Sequence, residues 1–432
     1  MTAGAAPRLS RNSTYLLAIL TIVWFLAYLD RKIIALLVSD LKRDLLLTDV
    51  QASLLQGVAF AVLFVVAGLP IGKLVDRYNR RNLMIFGVLL WSVATVLCGF
   101  ATSYESLFAA RMFVGLGEAC LAPAAASMVA DSFVIARRGR AMGTMLMGGA
   151  VGTAASAFLA GAVMARFPNG IGGFSDWQLT FIIAGAGGAL VAPLLLTIAE
   201  PPRAEQGFDG DVARPGILSV LRDNWRVLVP LYIGFVANMV ATFGTSAWIP
   251  TMLMRDYDMT AARVGIILGT LLLAMGVVSP ILGGWASDFA ARRNGPSGRL
   301  RLAGMAFALQ LGLGAATVML RGLDATLAVL AINSVVSSCL AASALVVLQE
   351  SGPPQVRGQS VAIYLVATNV IGMGLGPLLV ALLTDRVFAD ETMVRESVAA
   401  TLAFTGALGL AMMVVALASR VRPAASVQPE PA

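Results

Sequence analysis

Gly72-Lys73-Leu74-Val75-Asp76-Arg77-Tyr78-Asn79-Arg80-Arg81 follows one long apolar stretch, and Gly284-Trp285-Ala286-Ser287-Asp288-Phe289-Ala290-Ala291-Arg292-Arg293 follows another. The second segment begins 212 positions after the first and keeps its Gly, Asp and paired Arg at the same offsets. A second echo lies further on, where Arg138-Gly139 and Arg357-Gly358 each open an apolar stretch at a separation of 219. In a chain of 432 residues, these repeats mean that half the sequence has been duplicated.

Working outward from the repeats, the solvent is read from composition. The chain is 58% hydrophobic and 13% charged, whereas soluble domains carry about 25% charged residues. Stretches of roughly 20 apolar residues, enough to cross a hydrocarbon core of about 30 Å, recur from end to end. They fall at about 14–38, 52–75, 83–102, 107–130, 141–165, 179–199, 227–254, 263–287, 302–320, 325–349, 359–384 and 398–419, with boundaries good to a few residues. The expected fold is therefore all-α and membrane-integral: a six-helix bundle over 1–199, a cytoplasmic linker over 200–226 rich in Pro and Gly, and a second six-helix bundle over 227–432. The first stretch contains Asp30, Arg31 and Lys32 and lacks a small-residue cleavage site, so it reads as a retained helix.

The net charge of +7 is mostly topology. Of 31 Lys and Arg, 20 fall in the segments on the face that holds both termini and 8 on the opposite face, while Arg31, Lys32 and Arg111 lie within or at the ends of spans. The positive-inside rule then places both termini in the cytoplasm, and a nucleic-acid partner is not expected. Cys98, Cys120 and Cys339 lie inside spans without metal-ligand spacing, so no metal is expected. No phosphate-binding Gly-rich loop with Lys-Ser/Thr, no His-Glu-x-x-His helix and no sizeable soluble domain occur in the sequence. The expectation is a gradient-driven protein with no cofactor and no enzymatic activity.

The Gly-x-Leu-x-Asp-Arg-x-x-Arg-Arg segment, repeated at half-chain among twelve spans, resembles the signature loop of the major facilitator superfamily. That resemblance implies two pseudo-symmetric bundles, a substrate cavity near the bilayer midplane, and alternating access by rocking. The loop itself suggests a conformational latch made of Gly72, Asp76, Arg77, Arg80 and Arg81, with Asp288, Arg292 and Arg293 as a weaker counterpart. Gly72 would let two helices approach, and Asp76 at a helix end would face backbone donors of a neighbouring bundle or cations such as Arg140. The plain alternative is that the arginines only anchor topology.

Charge inside a span costs at least about 2.5–3.5 kcal/mol on insertion scales, which makes such residues functional candidates. Asp30 and Arg31 lie deep in the first span, turned about 100° apart, so each needs a partner elsewhere. Arg111 and Glu118 are seven apart on one helical face and suit a bridge to the first helix. The four are expected to form a buried network. One reading gives it proton coupling, through Asp30 and Glu118, and headgroup contact or gating, through Arg31 and Arg111; the other makes it an ion-pair cluster that only specifies packing. The chain contains no His, so a coupled proton would need a carboxylate.

Tyr28-Leu29-Asp30-Arg31, Val38-Ser39-Asp40-Leu41, and Arg111-x-x-x-Gly115-x-Gly117-Glu118-Ala119 running to Pro123-Ala124-Ala125 and Ala130-Asp131 resemble the Spinster branch of that superfamily. The resemblance implies transport of lysophospholipid, sphingolipid-phosphate or related amphiphiles, with Asp30 and Glu118 in coupling and Arg31 in gating or headgroup contact. Lys32 departs from the branch, where Gln is commoner. In the second half, Asn238, Asn333 and Asn369 are candidate substrate contacts; the alternative reading makes them inter-helix hydrogen-bond groups. Glycines at 143, 148, 149, 152 and 161, and at 372, 374 and 376 before Pro377, suggest close packing or a bend. The function expected is proton-coupled or facilitative movement of a lipid-like substrate, by alternating access, by a monomer in a bacterial inner membrane. An organic-anion symporter and a multidrug efflux transporter are the alternatives.

Overall fold

The computed structural model describes residues 11–203, 222, 224–351 and 357–421. Most of the expected linker lies outside the described residues. Those described are mostly helical, and they contain no strand, only an isolated bridge between Ile171 and Phe174. Helices satisfy every backbone donor and acceptor within one segment, which hydrocarbon demands.

Among the described residues, fifteen α-helices carry twelve candidate spans. In the first half they are α1 (Arg11–Leu45), α2 (Asp49–Gln56), α3 (Val58–Arg77), α4 (Arg80–Gly99), α5 (Tyr104–Glu118), α6 (Leu121–Ser132), α7 (Ile135–Arg166) and α8 (Asp176–Val191). In the second they are α9 (Trp225–Tyr257), α10 (Ala261–Asn294), α11 (Gly298–Met319), α12 (Leu323–Glu350), α13 (Arg357–Ala367), α14 (Met373–Leu382) and α15 (Val394–Val421). Every span expected from hydropathy is present, and several run longer: the first reaches Leu45 and the eleventh continues through Phe388.

Several described spans depart from one continuous α-helix, the sixth by ending in a 3₁₀ segment at Ala192–Thr197 and the twelfth by opening on one at Glu391–Met393. The second breaks at Gly57, where φ is −115° and ψ is −72°, and the fourth breaks just after Glu118. The eleventh contains π-helical turns at Thr368–Gly372 and Leu383–Phe388, on either side of the helix that holds Pro377. Close packing is made there: a Cβ at Gly376 would lie 2.6 Å from the Val240 carbonyl oxygen, and one at Gly372 would lie 2.9 Å from Met239 Cβ.

The described chain forms two compact units. One comprises residues 1–209 with Leu253–Gly276, and the other comprises Gly210–Met252 with Val277–Ala432. In the first unit, α1 packs along α7, and α4 packs against α5 and α8. Glycines set these distances. A Cβ at Gly152 would lie 2.1 Å from the Phe25 carbonyl oxygen, and one at Gly148 would lie 2.6 Å from that of Thr21, so α7 meets the backbone of α1 directly. In the second unit α11 packs along α15, and Phe235, Phe307, Leu340, Tyr364 and Met413 form its apolar centre. Phe86, Leu190 and Phe404 are exposed on outer faces, as a protein solvated by lipid requires.

Candidate functional site

Gly115 and Gly117 build the site before any charged residue does. A Cβ at Gly115 would lie 2.1 Å from the Phe60 carbonyl oxygen, and one at Gly117 would lie 2.7 Å from both the Gly87 oxygen and the Trp91 nitrogen. Helix α5 is therefore pressed onto the backbones of α3 and α4, which carries Arg111 and Glu118 into the interior of the first unit. Arg111 is 0% exposed and Glu118 is 1% exposed.

Arg31 reaches from α1 to Glu118. Its Nε donates to Glu118 Oε2 at 3.1 Å, and its Nη2 donates to the same oxygen. The guanidinium also lies 4.6 Å from the Phe60 ring centroid, 5.1 Å from Tyr28 and 5.5 Å from Phe64. Asp30 turns away from Arg31, as helical geometry requires, and its Oδ2 accepts from Thr95 Oγ1 on α4 at 2.6 Å. Arg111 holds the two helices from the other side: its Nη1 and Nη2 reach the carbonyl oxygens of Asp30 and Arg31 at 3.5 Å, and its ring neighbour is Phe60 at 6.0 Å. The four residues expected to form a network are thus brought together. The network is incomplete, because Asp30 Oδ1, Glu118 Oε1 and Arg111 Nε are buried without a hydrogen-bond partner among the described residues. A cluster built purely for stability would be expected to satisfy such atoms.

The signature loop is organised differently from the expectation. Asp76 is exposed and makes no hydrogen bond or ion pair among the described residues, and neither does Arg77. A Cβ at Gly72 would meet nothing within 4 Å, so the expected close helix approach is not made there. Arg80 is the buried hub instead. Its Nε donates to Glu200 at 2.7 Å, its Nη1 to Ser127 at 2.8 Å and to Asp131, and its Nη2 to the Pro201 carbonyl at 2.6 Å. Arg81 adds its backbone amide to Glu200 and its side chain to the Ile198 carbonyl. Arg203 donates to the carbonyls of Val75 and Tyr78, closing the C-terminal end of α3.

The second copy departs further. Helix α3 ends at Arg77 and α4 begins at Arg80, but α10 runs on to Asn294, so Arg292 and Arg293 are exposed on its last turn and unpaired among the described residues. Asp288 pairs with Arg299 at 3.3 Å, and Arg299 also pairs with Glu350 at 2.9 Å. Arg299 stands 219 positions after Arg80, and Glu350 stands 219 after Asp131, so Arg299 is the counterpart of Arg80. The signal was present in the sequence: one echo is spaced 212 apart and the other 219, a difference of seven residues, or about two helical turns.

A buried ion cluster in the first unit was not anticipated. Asp49, 0% exposed at the start of α2, accepts from both ends of the Arg255 guanidinium at 3.1 Å and from Lys42. A separation of 206 residues leaves no local pattern from which to read this contact. Asp44, near it in sequence, accepts from the indole of Trp177 at 2.9 Å.

In the second unit, Asn238 is buried on α9 and donates to the Ser337 carbonyl at 3.3 Å, while Thr242 Oγ1 reaches Ser337 Oγ, also at 3.3 Å. Asn333 is 6% exposed, and the side-chain oxygens of both asparagines have no partner among the described residues. Asn369 sits in the π-helical turn and donates to the Leu365 carbonyl of its own helix at 2.7 Å.

The sequence profile of the Major Facilitator Superfamily matches residues 20–377. An MFS-type efflux pump of Mycolicibacterium smegmatis is 25% identical over 88% of this chain and 86% of its own length. Protein spinster homolog 1 of Homo sapiens is 27% identical over 92% of this chain and 79% of its own. Among solved structures, a bacterial homolog to the human lysosomal transporter Spinster, in an inward-facing and unoccupied conformation, superposes with a TM-score of 0.82. It is 24% identical, and the match covers 96% of this chain and all of that one.

Proposed function

The chain belongs to the Major Facilitator Superfamily and resembles its Spinster branch, and from that premise we propose that it moves an amphiphilic, lipid-like substrate by alternating access, coupled to protons. The observation that carries this reading is the unsatisfied network of Asp30, Arg31, Arg111 and Glu118 inside the first unit. Two carboxylates and two guanidiniums share one interior, and only Arg31 and Glu118 are directly bonded through their side chains. Neutralising Glu118 would release Arg31, and a released Arg31 would be able to hold an anionic headgroup. Asp30, joined to α4 through Thr95, is the second carboxylate able to carry a proton. The family's members are carriers, and no catalytic role is assigned to this chain.

Within the second unit, Asn238 and Asn333 would offer buried acceptors to a hydroxyl or amide of a substrate. Asn369, half-buried on the π-turn, is the third candidate contact for substrate in this unit. The signature loop would act as a latch of one access state, with Arg80 and Arg299 as its fixed points and Gly72, Asp76, Arg77, Arg81, Asp288, Arg292 and Arg293 engaging as access alternates. We place the protein as a monomer in the bacterial inner membrane with both termini cytoplasmic, on the distribution of its Lys and Arg.

The test is uptake into liposomes under an imposed proton gradient, comparing lysophospholipids with small organic acids. Gradient-dependent movement of lysolipid is expected. Movement of the acids alone would replace this reading with organic-anion symport. Efflux of unrelated drugs is the second alternative, supported by the likeness to the mycobacterial efflux pump.

A further inference from the structure

Arg31 occupies a seat made by other residues. Three aromatic rings, Tyr28, Phe60 and Phe64, lie within 5.5 Å of its guanidinium carbon, and Glu118 supplies the charge beneath it. The rings are held in pairs, Phe60 against Phe64 at 5.3 Å and Tyr28 against Trp24 at 6.2 Å, so their faces are fixed before any ligand arrives. A carboxylate and several ring faces around one point form a receptor for an organic cation. Here the cation is the chain's own.

We propose that this seat is a binding site for lipophilic organic monocations, which displace Arg31 and take its place against Glu118 and the three rings. Several features support an exchangeable occupant. The Arg31 side chain is 13% exposed while Glu118 is fully covered, so the seat opens on the Arg31 side. Tyr28 and Phe64 are only half-buried, which leaves ring surface for the apolar body of a ligand. Glu118 Oε1 has no donor even with Arg31 in place, so Arg31 does not use the whole carboxylate. Were Arg31 to swing out with nothing replacing it, a buried carboxylate would lose its hydrogen-bonded cation, a costly state that an incoming cation avoids. Arg111, 6.0 Å from the Phe60 ring, opposes a second concentrated positive charge. The site therefore suits one diffuse charge, as in a quaternary ammonium, and disfavours dications. This goes beyond the lipid-like substrate proposed above and rests on that reading only in taking the first unit as the place where headgroups are read.

Equilibrium binding of tritiated benzyltrimethylammonium to the full chain in lipid nanodiscs tests it without requiring transport, so this inference and the transport reading can fail separately. Saturable binding is expected, with no competition from neopentylbenzene, the uncharged carbon isostere. Phe64→Leu and Phe60→Leu should each weaken binding about tenfold, and Arg31→Ala should strengthen it severalfold by removing the resident cation. Should Phe60→Leu fail to fold, the half-buried Phe64 carries the test. Absence of saturable binding to the unmodified chain, equal competition by the isostere, indifference to Phe64→Leu, or unchanged affinity in Arg31→Ala would each overturn the proposal.

Discussion

Asp30 and Arg31 are adjacent, and a helix turns adjacent side chains about 100° apart, so one faces Thr95 and the other Glu118. Their roles can be separated by substitution. In liposomes, Asp30→Asn or Glu118→Gln should abolish the pH dependence of transport while the purified variants keep the parent's helical circular dichroism spectrum. An unchanged pH profile in both variants would remove proton coupling from the mechanism. Arg80 belongs to a different class, because it is 1% exposed and bridges Asp131, Glu200, Ser127 and the Pro201 carbonyl. Arg80→Ala should therefore cost on the order of 3 kcal/mol, since its carboxylate partners lose a buried cation. Thermal unfolding in detergent measures that loss, and Asp76→Ala, at an exposed residue unpaired among those described, should fall within about 0.5 kcal/mol of the parent.

At the scale of elements, glycine positions decide which helices can exchange charge. Gly115 has no space for a methyl group against the backbone of α3, whereas Gly72 on α3 has open space around it. Gly115→Ala should push α5 outward, destabilise the protein by about 1–3 kcal/mol and separate Glu118 from Arg31. Gly72→Ala should leave stability unchanged or raise it by up to about 1 kcal/mol, because alanine favours the helix. If Gly72→Ala nonetheless slows transport, a close approach at that position must form during the cycle. If transport is normal, Gly72 has no part in a latch. The helix itself was legible in both cases, from hydropathy. Which glycine carried a contact was not, because an apolar run looks the same whether its neighbour is lipid or backbone.

For the whole molecule, duplication constrains the architecture more than any single motif. The 212- and 219-residue echoes differ by seven, and those residues extend α10 past Asp288 and move the counterpart of Arg80 to Arg299. Asp76→Asn should shift distance distributions between spin labels on the cytoplasmic ends of the helices, because a latch acts on the population of access states. An unaltered distribution would leave Asp76 with no conformational role. Orientation has its own check. In a variant whose buried Cys98, Cys120 and Cys339 are replaced, a cysteine at exposed Tyr78 should react with an impermeant thiol reagent only in inside-out vesicles. One at exposed Leu46 should react only in right-side-out vesicles.

The sequence alone determined the twelve spans, the duplication and the four charges that could not be left in lipid, because hydrophobicity and the cost of a charge act on each residue wherever it packs. Tertiary structure alone decided their partners. The pairing of Arg31 with Glu118, the hold of Thr95 on Asp30, and the union of Asp49 with Arg255 across 206 residues join segments with no common local pattern. Such contacts depend on which helix backbones approach closely enough to meet. The repeated loop shows the same division: the duplication and its registers were readable as spacing, but the passage of the ion-pair role in the second copy from Arg292, which stands at the offset of Arg80, to Arg299 was not. That passage was decided by where each helix ends, which packing determines.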